Sequence, residues 1–396
     1  MQSEQNFRQV KPMRASSRSL LKVMIPIVAF ISLPTTGHSE NKETLDTAIL
    51  AKMAKLKIPG LAAAAINSGR VVWIGTYGWA NIEKQNPVTS NTPFMIASVS
   101  KPITATILTT LYVNGQFELD DDINEYLPFS VRNPNFPFNP ITFRNLLRHR
   151  SGITDNYEGF YKQYWDVADG DPTTALDEYL ESYLDPGGKH YSASDNFLES
   201  KPGGQYSYCN TCYALLGLLA QQISGFPFEQ LSQKLLFGPL QLKTTGWFLR
   251  DFDDKEPAMP YGLDDSDKFV PYGQNGYPDW PAGQLRTSIN DLSRFLSTYL
   301  SDGNIDGDSV IDPDVIEILS PVIPDQGFHT WALGGDGNGG LLYSHDGGDI
   351  GVSTLLTLNR VDSKGVIVLT NGEADIESIA NEIYRSIDLL STKNND

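Results

Sequence analysis

The sequence predicts a mixed fold: an α/β lobe with a second, mostly helical lobe inserted into it. Strand-like apolar runs occur near both ends of the chain, whereas residues from about 120 to 270 combine helical runs with irregular stretches rich in Pro, Gly, Asp and aromatic residues. Because sheet-forming segments flank this helical middle, we expect the two ends to share one lobe. The chain has 396 residues, 40% of them hydrophobic, which is enough to bury a sizeable core.

The first elements follow from periodicity and turn residues. Apolar residues at helical spacing predict a helix within 45–56, and a Pro-Gly pair follows it. Two apolar runs, 61–66 and 71–74, are split by Asn-Ser-Gly-Arg, which predicts a β-hairpin. Residues 99–114 are apolar enough for a buried helix, with a proline tolerated in its first turn and a glycine just past its end.

The later elements complete the sheet and cover it. A helical run is predicted at 213–223, followed by three strand-like segments at 340–343, 354–358 and 366–369. The chain then ends in a helix with an apolar stripe of Ile376, Ile379, Ile383, Ile387 and Leu390.

These elements predict domain boundaries. We assign 40–120 and 270–396 to the α/β lobe and 121–269 to the helical lobe. A cleft between two lobes is a common place for a small-molecule site.

Residues 1–39 have the composition of a secretory signal peptide. Five basic residues precede an apolar run at 23–33, and the small residues Gly37 and Ser39 follow at positions compatible with cleavage. The run has 11 residues, whereas a membrane-spanning helix needs roughly 20. We therefore expect an exported protein, periplasmic or secreted, with no stable membrane insertion once the signal is cleaved; the alternative is an uncleaved anchor.

The charge balance argues against a nucleic-acid partner. Thirty Lys and Arg face 48 Asp and Glu, which gives a formal net charge of −18, and such a surface repels nucleic acids and anionic membranes. The charge says little about the substrate, because substrate choice depends on the local charge of a pocket.

Two cysteines, Cys209 and Cys212, are spaced C-x-x-C. Export would permit a disulfide, and free thiols remain an alternative. A zinc site would need two further ligands at suitable spacing, and none is evident in the sequence, so no metal site is predicted.

The first catalytic signal is an S-x-x-K motif formed by Ser98 and Lys101. Residues i and i+3 lie on one face of a helix, so the amine stands beside the hydroxyl. In apolar surroundings a Lys loses its proton more readily and can act as a base. The same pattern recurs at 19–22 and 39–42, but only Ser98 opens a long apolar helix, where free backbone N–H groups can hold developing negative charge.

Two further motifs follow along the chain. Tyr208 and Asn210 form Y-x-N, in which a phenol can relay protons if positive charge lowers its pKa, and an amide can orient the Lys and a substrate carbonyl. His345, Gly347 and Gly348 follow a strand-like run, where glycines would let a substrate approach the backbone closely.

A lone histidine is often a structural residue held by hydrogen bonds. For His345 this interpretation is an alternative to a catalytic role, and for His149 we favour it.

The order S-x-x-K, Y-x-N, H-x-G resembles that of the penicillin-binding-protein and class C β-lactamase superfamily. Segments at 78–89, 141–152 and 281–296 also resemble family segments, so the resemblance covers roughly 43–390. It implies the β-lactamase/transpeptidase-like fold, an antiparallel sheet flanked by helices with an inserted helical domain.

The resemblance also implies acyl transfer in two steps. Ser98, deprotonated by Lys101 and Tyr208, would attack a carbonyl, and the backbone N–H groups of Ser98 and Gly348 would hold the oxyanion. Tyr208 would protonate the leaving group, and water would release the acyl-enzyme. By resemblance, Asn210 positions the substrate and Lys101, and Gly347 also lies at the substrate.

The third motif departs from the β-lactamase pattern. Where those enzymes and many D,D-peptidases have a Lys, this chain has His345 followed by the acidic Asp346, so this position provides no permanent charge for a substrate carboxylate. The H-x-G variant resembles esterase-like and D-amino-acid-amide-hydrolysing relatives. We therefore expect a serine esterase or amidase that acts on a small-molecule ester, amide or short peptide and uses no cofactor. The alternatives are a D-amino-acid peptidase or D,D-carboxypeptidase on cell-wall-type peptides and, from another class, a catalytically silent binding protein.

Aromatic residues are concentrated in two irregular stretches. As a hypothesis, some of them form an apolar acyl or aryl pocket, and the alternative is that they pack the helical lobe. They are Tyr157, Phe160, Tyr161, Tyr164, Trp165, Tyr272, Tyr277 and Trp280.

Overall fold

The computed structural model describes residues 38–161, 168–252, 255–322, 330–335 and 340–391. The predicted signal peptide falls outside them except for its last two residues, which belong to a helix beginning at His38. Among the described residues, no helix combines the length and apolar character needed to cross a membrane.

A seven-stranded sheet organises the described chain. Its strands are β1 (Gly60–Asn67), β2 (Arg70–Asn81), β3 (Asn86–Pro87), β12 (Ala332–Gly335), β13 (Leu341–Asp349), β14 (Val352–Asn359) and β15 (Lys364–Thr370), in the order β12-β13-β14-β15-β1-β2-β3. Every neighbouring pair is antiparallel. The sheet therefore joins strands from both ends of the chain, as predicted.

Shorter strands pair outside this sheet. They are β4 (Phe94–Met95) with β9 (Arg286–Thr287), β5 (Ala168–Asp169) with β8 (Asn275–Gly276), β6 (Tyr261–Leu263) with β7 (Phe269–Pro271), and β10 (Asn304–Ile305) with β11 (Asp308–Ser309).

The helices of the described residues are α1 (His38–Leu56), α2 (Ser100–Val113), α3 (Phe143–Leu147), α4 (Leu176–Leu184), α5 (Asn210–Ser224), α6 (Phe228–Ser232), α7 (Ile289–Tyr299), α8 (Pro313–Leu319) and α9 (Glu377–Ser391). The predicted helices within 45–56, at 99–114, at 213–223 and at the end of the chain correspond to α1, α2, α5 and α9.

The predicted hairpin is confirmed as β1 and β2. Ser68 and Gly69 both have positive φ, +52° and +70°, which is the geometry of a two-residue type I′ turn and matches the twist of the strands. Strand β2 runs past the predicted end at residue 74 to Asn81.

Alternate residues of β1 serve two different cores. Leu61, Ala63 and Ala65 pack with α1 and α9 on one face of the sheet. Their neighbours Ala62 and Ala64 face the larger core, which includes α2, α5 and α7. Because successive side chains of a strand point to opposite faces, a strand buried on both faces becomes an uninterrupted apolar run, as it does here.

The segment 121–269 supplies helices α3 to α6, and their apolar side chains join the same core cluster as those of α2. The proposed boundaries of the two lobes stay a prediction.

One strand extends further than its pattern indicated. The run predicted at 340–343 is the first half of β13, which continues to Asp349. His345, Gly347 and Gly348 therefore lie within this strand and not after it, because Gly347 and Gly348 keep their pairing with Thr354 and Ser353 of β14.

Candidate active site

Ser98 lies in a single 3-10 turn, Ala97–Val99, directly before α2. The residue before it, Ala97, has a φ of +46°, a conformation that costs free energy for any residue with a side chain. Lys101 is one turn further on, fully buried, and its Nζ lies 3.0 Å from Ser98 Oγ. The predicted i, i+3 pairing of hydroxyl and amine is thus present.

Three acceptors surround the Lys101 amine. Besides Ser98 Oγ, Nζ donates to Asn210 Oδ1 at 2.8 Å and to the carbonyl oxygen of Ala282 at 2.7 Å. An ammonium group has three protons, so all of its donors are used. Burial lowers the pKa of Lys101 to about 8, although nearby carboxylates, Asp279 foremost, oppose the shift. A substantial neutral fraction is therefore accessible near neutral pH.

Tyr208 contacts the nucleophile from the other side. Its hydroxyl hydrogen-bonds Ser98, and Lys101 Nζ lies 4.8 Å from the centre of its ring. The predicted proton relay requires a lowered pKa for Tyr208, and the structure shows the opposite. Burial raises the pKa of Tyr208, and this effect is larger than the lowering by the hydrogen bond from Ser98. Tyr208 thus holds a proton that it can donate.

Asn210 is the first residue of α5, which brings its amide to Lys101. Its Nδ2 donates to the Tyr157 hydroxyl at 3.2 Å, and its backbone N–H donates to Asp155 Oδ2 at 2.7 Å. The same carboxylate accepts from Thr211 N at 3.0 Å and from Thr211 Oγ1 at 2.7 Å. Asp155 therefore anchors the N-terminus of α5, where a negative charge is favoured by the helix dipole.

His149 supports Tyr208 from behind. The two rings stack with centroids 4.6 Å apart at 27°, and His149 Nδ1 accepts a hydrogen bond from the Cys209 N–H at 3.1 Å. Nδ1 thus carries no proton in the neutral ring, and burial lowers the pKa of His149 to about 3. The hydrogen bond and the ring contact agree with the sequence interpretation of His149 as a structural residue. Its place behind Tyr208 was not predicted, because a lone histidine in a loop has no spacing that indicates it.

Cys209 and Cys212 form a disulfide, which resolves the alternatives left open by the sequence. Cys209 is also the N-cap of α5, with its Sγ accepting from the Cys212 N–H at 3.0 Å. The bond thus lies between Tyr208 and the first turn of the helix that carries Asn210.

The third motif approaches the nucleophile through β13. A Cβ at Gly347 would overlap Ile96 O and Thr354 Oγ1, so only glycine allows this contact. Thr354 Oγ1 also donates to Ile96 O at 2.8 Å, which ties the sheet to the turn that carries Ser98. Gly348 is exposed, and it lines the same cavity as Ser98.

His345 is buried and lies near Lys101. Its Nδ1 is 2.7 Å from the Asp346 carbonyl oxygen, and because a carbonyl only accepts, Nδ1 carries the proton. Burial and the charge of Lys101 lower the pKa of His345 to about 4, so the ring is neutral at neutral pH.

Two cavities are lined by these residues. One, of about 250 Å³, is lined by Ser98, Asn210 and Gly348 together with Tyr157, Asp279 and Asp349. The other, of about 320 Å³, is lined by Tyr208, His345 and Asp346 together with His149, Tyr206 and Trp331. Ser98 thus faces the first cavity, and the Tyr208 phenol and the His345 imidazole face the second.

Some of the aromatic residues singled out in the sequence line a cavity, and others pack in the core. Tyr157, Tyr161 and Tyr277 line the cavity with Ser98, whereas Phe160 and Trp280 pack in the core and Tyr272 is exposed. Tyr164 and Trp165 lie outside the described residues. Within the described ranges, no group of three or more His, Cys, Asp or Glu side chains could hold a metal ion.

Comparison with known proteins identifies relatives of this chain. The family model described as Beta-lactamase matches residues 45–389. Protein flp of Staphylococcus aureus (strain MW2) is 25% identical over 334 residues, which cover 84% of this chain and 64% of that protein, so the chain spans less than two thirds of this relative's length. Penicillin-binding protein 4* of Bacillus subtilis (strain 168) is 25% identical over 332 residues, which cover 79% of this chain and 68% of the relative.

Solved structures agree on the fold. The octameric penicillin-binding protein homologue from Pyrococcus abyssi superposes with a TM-score of 0.69 and 26% sequence identity, covering 88% of this chain and 77% of that one. The predicted fold, an antiparallel sheet flanked by helices with an inserted helical segment, is thus confirmed.

Proposed function

Because this chain belongs to the Beta-lactamase family, we propose that it is an exported serine hydrolase that forms an acyl-enzyme on Ser98 and cleaves carboxylic esters or amides. The observation that carries the proposal is the buried Lys101 amine, which is within hydrogen-bonding distance of Ser98 Oγ and has a lowered pKa. An amine in this state can accept the serine proton at neutral pH.

The raised pKa of Tyr208 assigns the acid–base roles. Neutral Lys101 takes the Ser98 proton as Oγ attacks the carbonyl carbon. The backbone N–H groups of Ser98 and Gly348 hold the oxyanion of the tetrahedral intermediate. Tyr208 then gives its phenolic proton to the leaving group as the carbonyl re-forms, and the Lys101 ammonium returns a proton to the phenolate.

Deacylation uses the same roles. Water attacks the acyl carbon, its proton passes to Lys101, and Ser98 Oγ leaves with a proton from Tyr208. The Lys101 ammonium then returns a proton to the phenolate. Asn210 keeps the Lys101 amine in place throughout, because its Oδ1 accepts from Nζ and the backbone N–H of Asn210 is fixed by Asp155.

The third motif supports an esterase over a β-lactamase. His345 is neutral at neutral pH, and the exposed Asp346 adds a negative charge beside the cavity that contains Tyr208. Among the described residues that line this cavity, none offers a permanent positive charge to a leaving group with a carboxylate. We expect short-chain aryl esters to react faster than D-alanyl peptides, and initial rates in the opposite order would favour the D-peptidase alternative.

Export is the part of the proposal that rests on residues 1–39. Expression of the full chain in a bacterium, followed by N-terminal mass analysis of the periplasmic and secreted fractions, tests it. A protein that keeps residues 1–39 and stays in the membrane fraction would contradict cleavage.

Intact-mass spectrometry after treatment with a fluorophosphonate probe tests the nucleophile, with Ser98→Ala as the control. We expect one adduct on the wild-type protein and none on the variant. No adduct on folded wild-type protein would favour the catalytically silent binding protein.

A further inference from the structure

The cavity beside Ser98 contains a carboxylate that makes no ion pair with any of the described residues. Asp279 is 5% exposed and lines this cavity at the start of the turn Trp280–Ala282. Among the described residues, its carboxylate has no hydrogen bond or ion pair to another side chain. Lys101 cannot supply one, because Ser98, Asn210 and Ala282 already use its three donors.

A second carboxylate in the same cavity has one oxygen to spare. Asp349 Oδ1 accepts from the Tyr277 hydroxyl and from the Ile350 N–H, each at 2.7 Å. Its Oδ2 has no partner within the described part of the chain. Asp155, whose charge acts on Asp279, differs in that its oxygens are occupied by the first turn of α5.

Burial makes this arrangement costly in the absence of a cation. It raises the pKa of Asp279 well above the usual range, with the Asp155 carboxylate adding to the effect and Lys101 opposing it. Burial also raises the pKa of Asp349. A cation between the two groups would relieve the cost, since a buried charge is tolerated when it is paired.

The side of the substrate that enters this cavity follows from the position of the acid. Tyr208 protonates the leaving group, and Tyr208 lines the other cavity, together with His345. The leaving group therefore occupies that second cavity, and the acyl group occupies the one with Asp279 and Asp349. The rings of Tyr157, Tyr161 and Tyr277 form part of its wall and offer faces that attract an organic cation.

We propose that Asp279 and Asp349 form a subsite for a primary ammonium group on the acyl part of the substrate. The enzyme then acts on esters or amides of amino acids whose amino group is free. This inference rests on the proposed function and narrows its substrate class.

A matched pair of substrates tests it. Alanine benzyl ester and N-acetyl-alanine benzyl ester, each as both enantiomers, share the same ester, and acetylation removes the positive charge of the amino group. For one enantiomer at least, we expect kcat/KM of the wild-type enzyme to be at least tenfold higher for the free amine. In Asp279→Asn that ratio should fall at least tenfold, whereas the exposed Asp265, changed to Asn as the control, should leave it as in the wild type.

A measurement on wild-type protein covers the case in which Asp279→Asn does not fold. At constant ionic strength, propylammonium should inhibit hydrolysis of the acetylated ester competitively, at least tenfold more strongly than 1-propanol. Equal inhibition, or wild-type hydrolysis without a preference for the free amine, overturns the ammonium subsite alone. Absence of hydrolysis of every ester, with no labelling of Ser98, overturns the proposed function and the substrate class with it.

Discussion

At the scale of single residues, the buried Lys101 decides how activity depends on pH. Its neutral form is the base, and its pKa is about 8. Therefore kcat/KM for a neutral ester should rise with pH and level off above about 8. Lys101→Arg replaces it with a group that stays protonated, so we expect a loss of roughly 10²- to 10⁴-fold. Initial rates from pH 5 to 10 test both statements, and a profile that is flat through pH 8 would assign the base elsewhere.

His149 is expected to act through Tyr208. In His149→Asn the new Oδ1 can still accept from the Cys209 N–H, and Asn tolerates the positive φ of +54° at this position. The stacking on Tyr208 is lost, together with the ring contacts to Tyr206 and Tyr213. Because misplacing a reacting group is costly, we expect kcat to fall about 10- to 100-fold with little change in KM. A change in KM alone would show that His149 contacts the substrate instead.

Which site residues the sequence could reveal depends on how they are brought together. Ser98 and Lys101 are one helical turn apart, so their spacing in the sequence predicts the contact directly. Tyr208 and Asn210 could be assigned to the site only from the order of the three motifs along the chain. Asp155 and Asp279 are brought to the site only by the packing of loops. A single aspartate in a loop has no sequence pattern that distinguishes it.

At the scale of elements, the close contact of β13 with the Ser98 turn gives a steric prediction. Gly347→Ala places a Cβ against Ile96 O, so β13 must move away from Ala97. We expect a loss of about 1–3 kcal/mol in the free energy of unfolding and a lower kcat. At Gly348 a Cβ meets no atom within 4 Å, so Gly348→Ala should change stability by at most about 0.5 kcal/mol. Urea denaturation of the two variants makes the comparison, and equal losses would contradict it.

The structure of β13 differs from the sequence prediction in its length. Apolar residues predict its first half, but its second half, His-Asp-Gly-Gly-Asp, has the composition of a turn. Pairing with β14 keeps these residues extended, which is a tertiary effect that overrides local preference. By contrast, β15 is buried on both faces, and its apolar run was predicted nearly to its ends.

At the scale of the whole molecule, the sheet separates a supporting core from the catalytic one. Ile383 of α9 and Leu215 of α5 are both fully buried, but they lie in different clusters. Truncation of either to Ala should cost about 2–5 kcal/mol of stability. Only Leu215→Ala should also lower kcat, because α5 carries Asn210. Activity measured well below each melting temperature checks this, and a reduced kcat in Ile383→Ala would show that the two faces are coupled.

The overall architecture was predictable because its elements are strongly periodic. The apolar stripe of α9 predicts a helix, and the paired apolar runs of β1 and β2 predict a hairpin, from sequence alone. No sequence pattern predicted the order of the strands in the sheet. It depends on long-range pairing, such as that of Ala63 with Val368.

This pairing has a consequence for synthesis. Ala63 leaves the ribosome about 300 residues before its partner on β15, so the central strand must wait for the C-terminal strands before the sheet can close. A nascent chain that has reached residue 300 already contains Ser98, Lys101, Tyr208 and Asn210. It still lacks Gly348, and with it one of the two proposed donors to the oxyanion. The proposed acyl transfer should therefore be impossible until β13 has been made, however early Ser98 emerges.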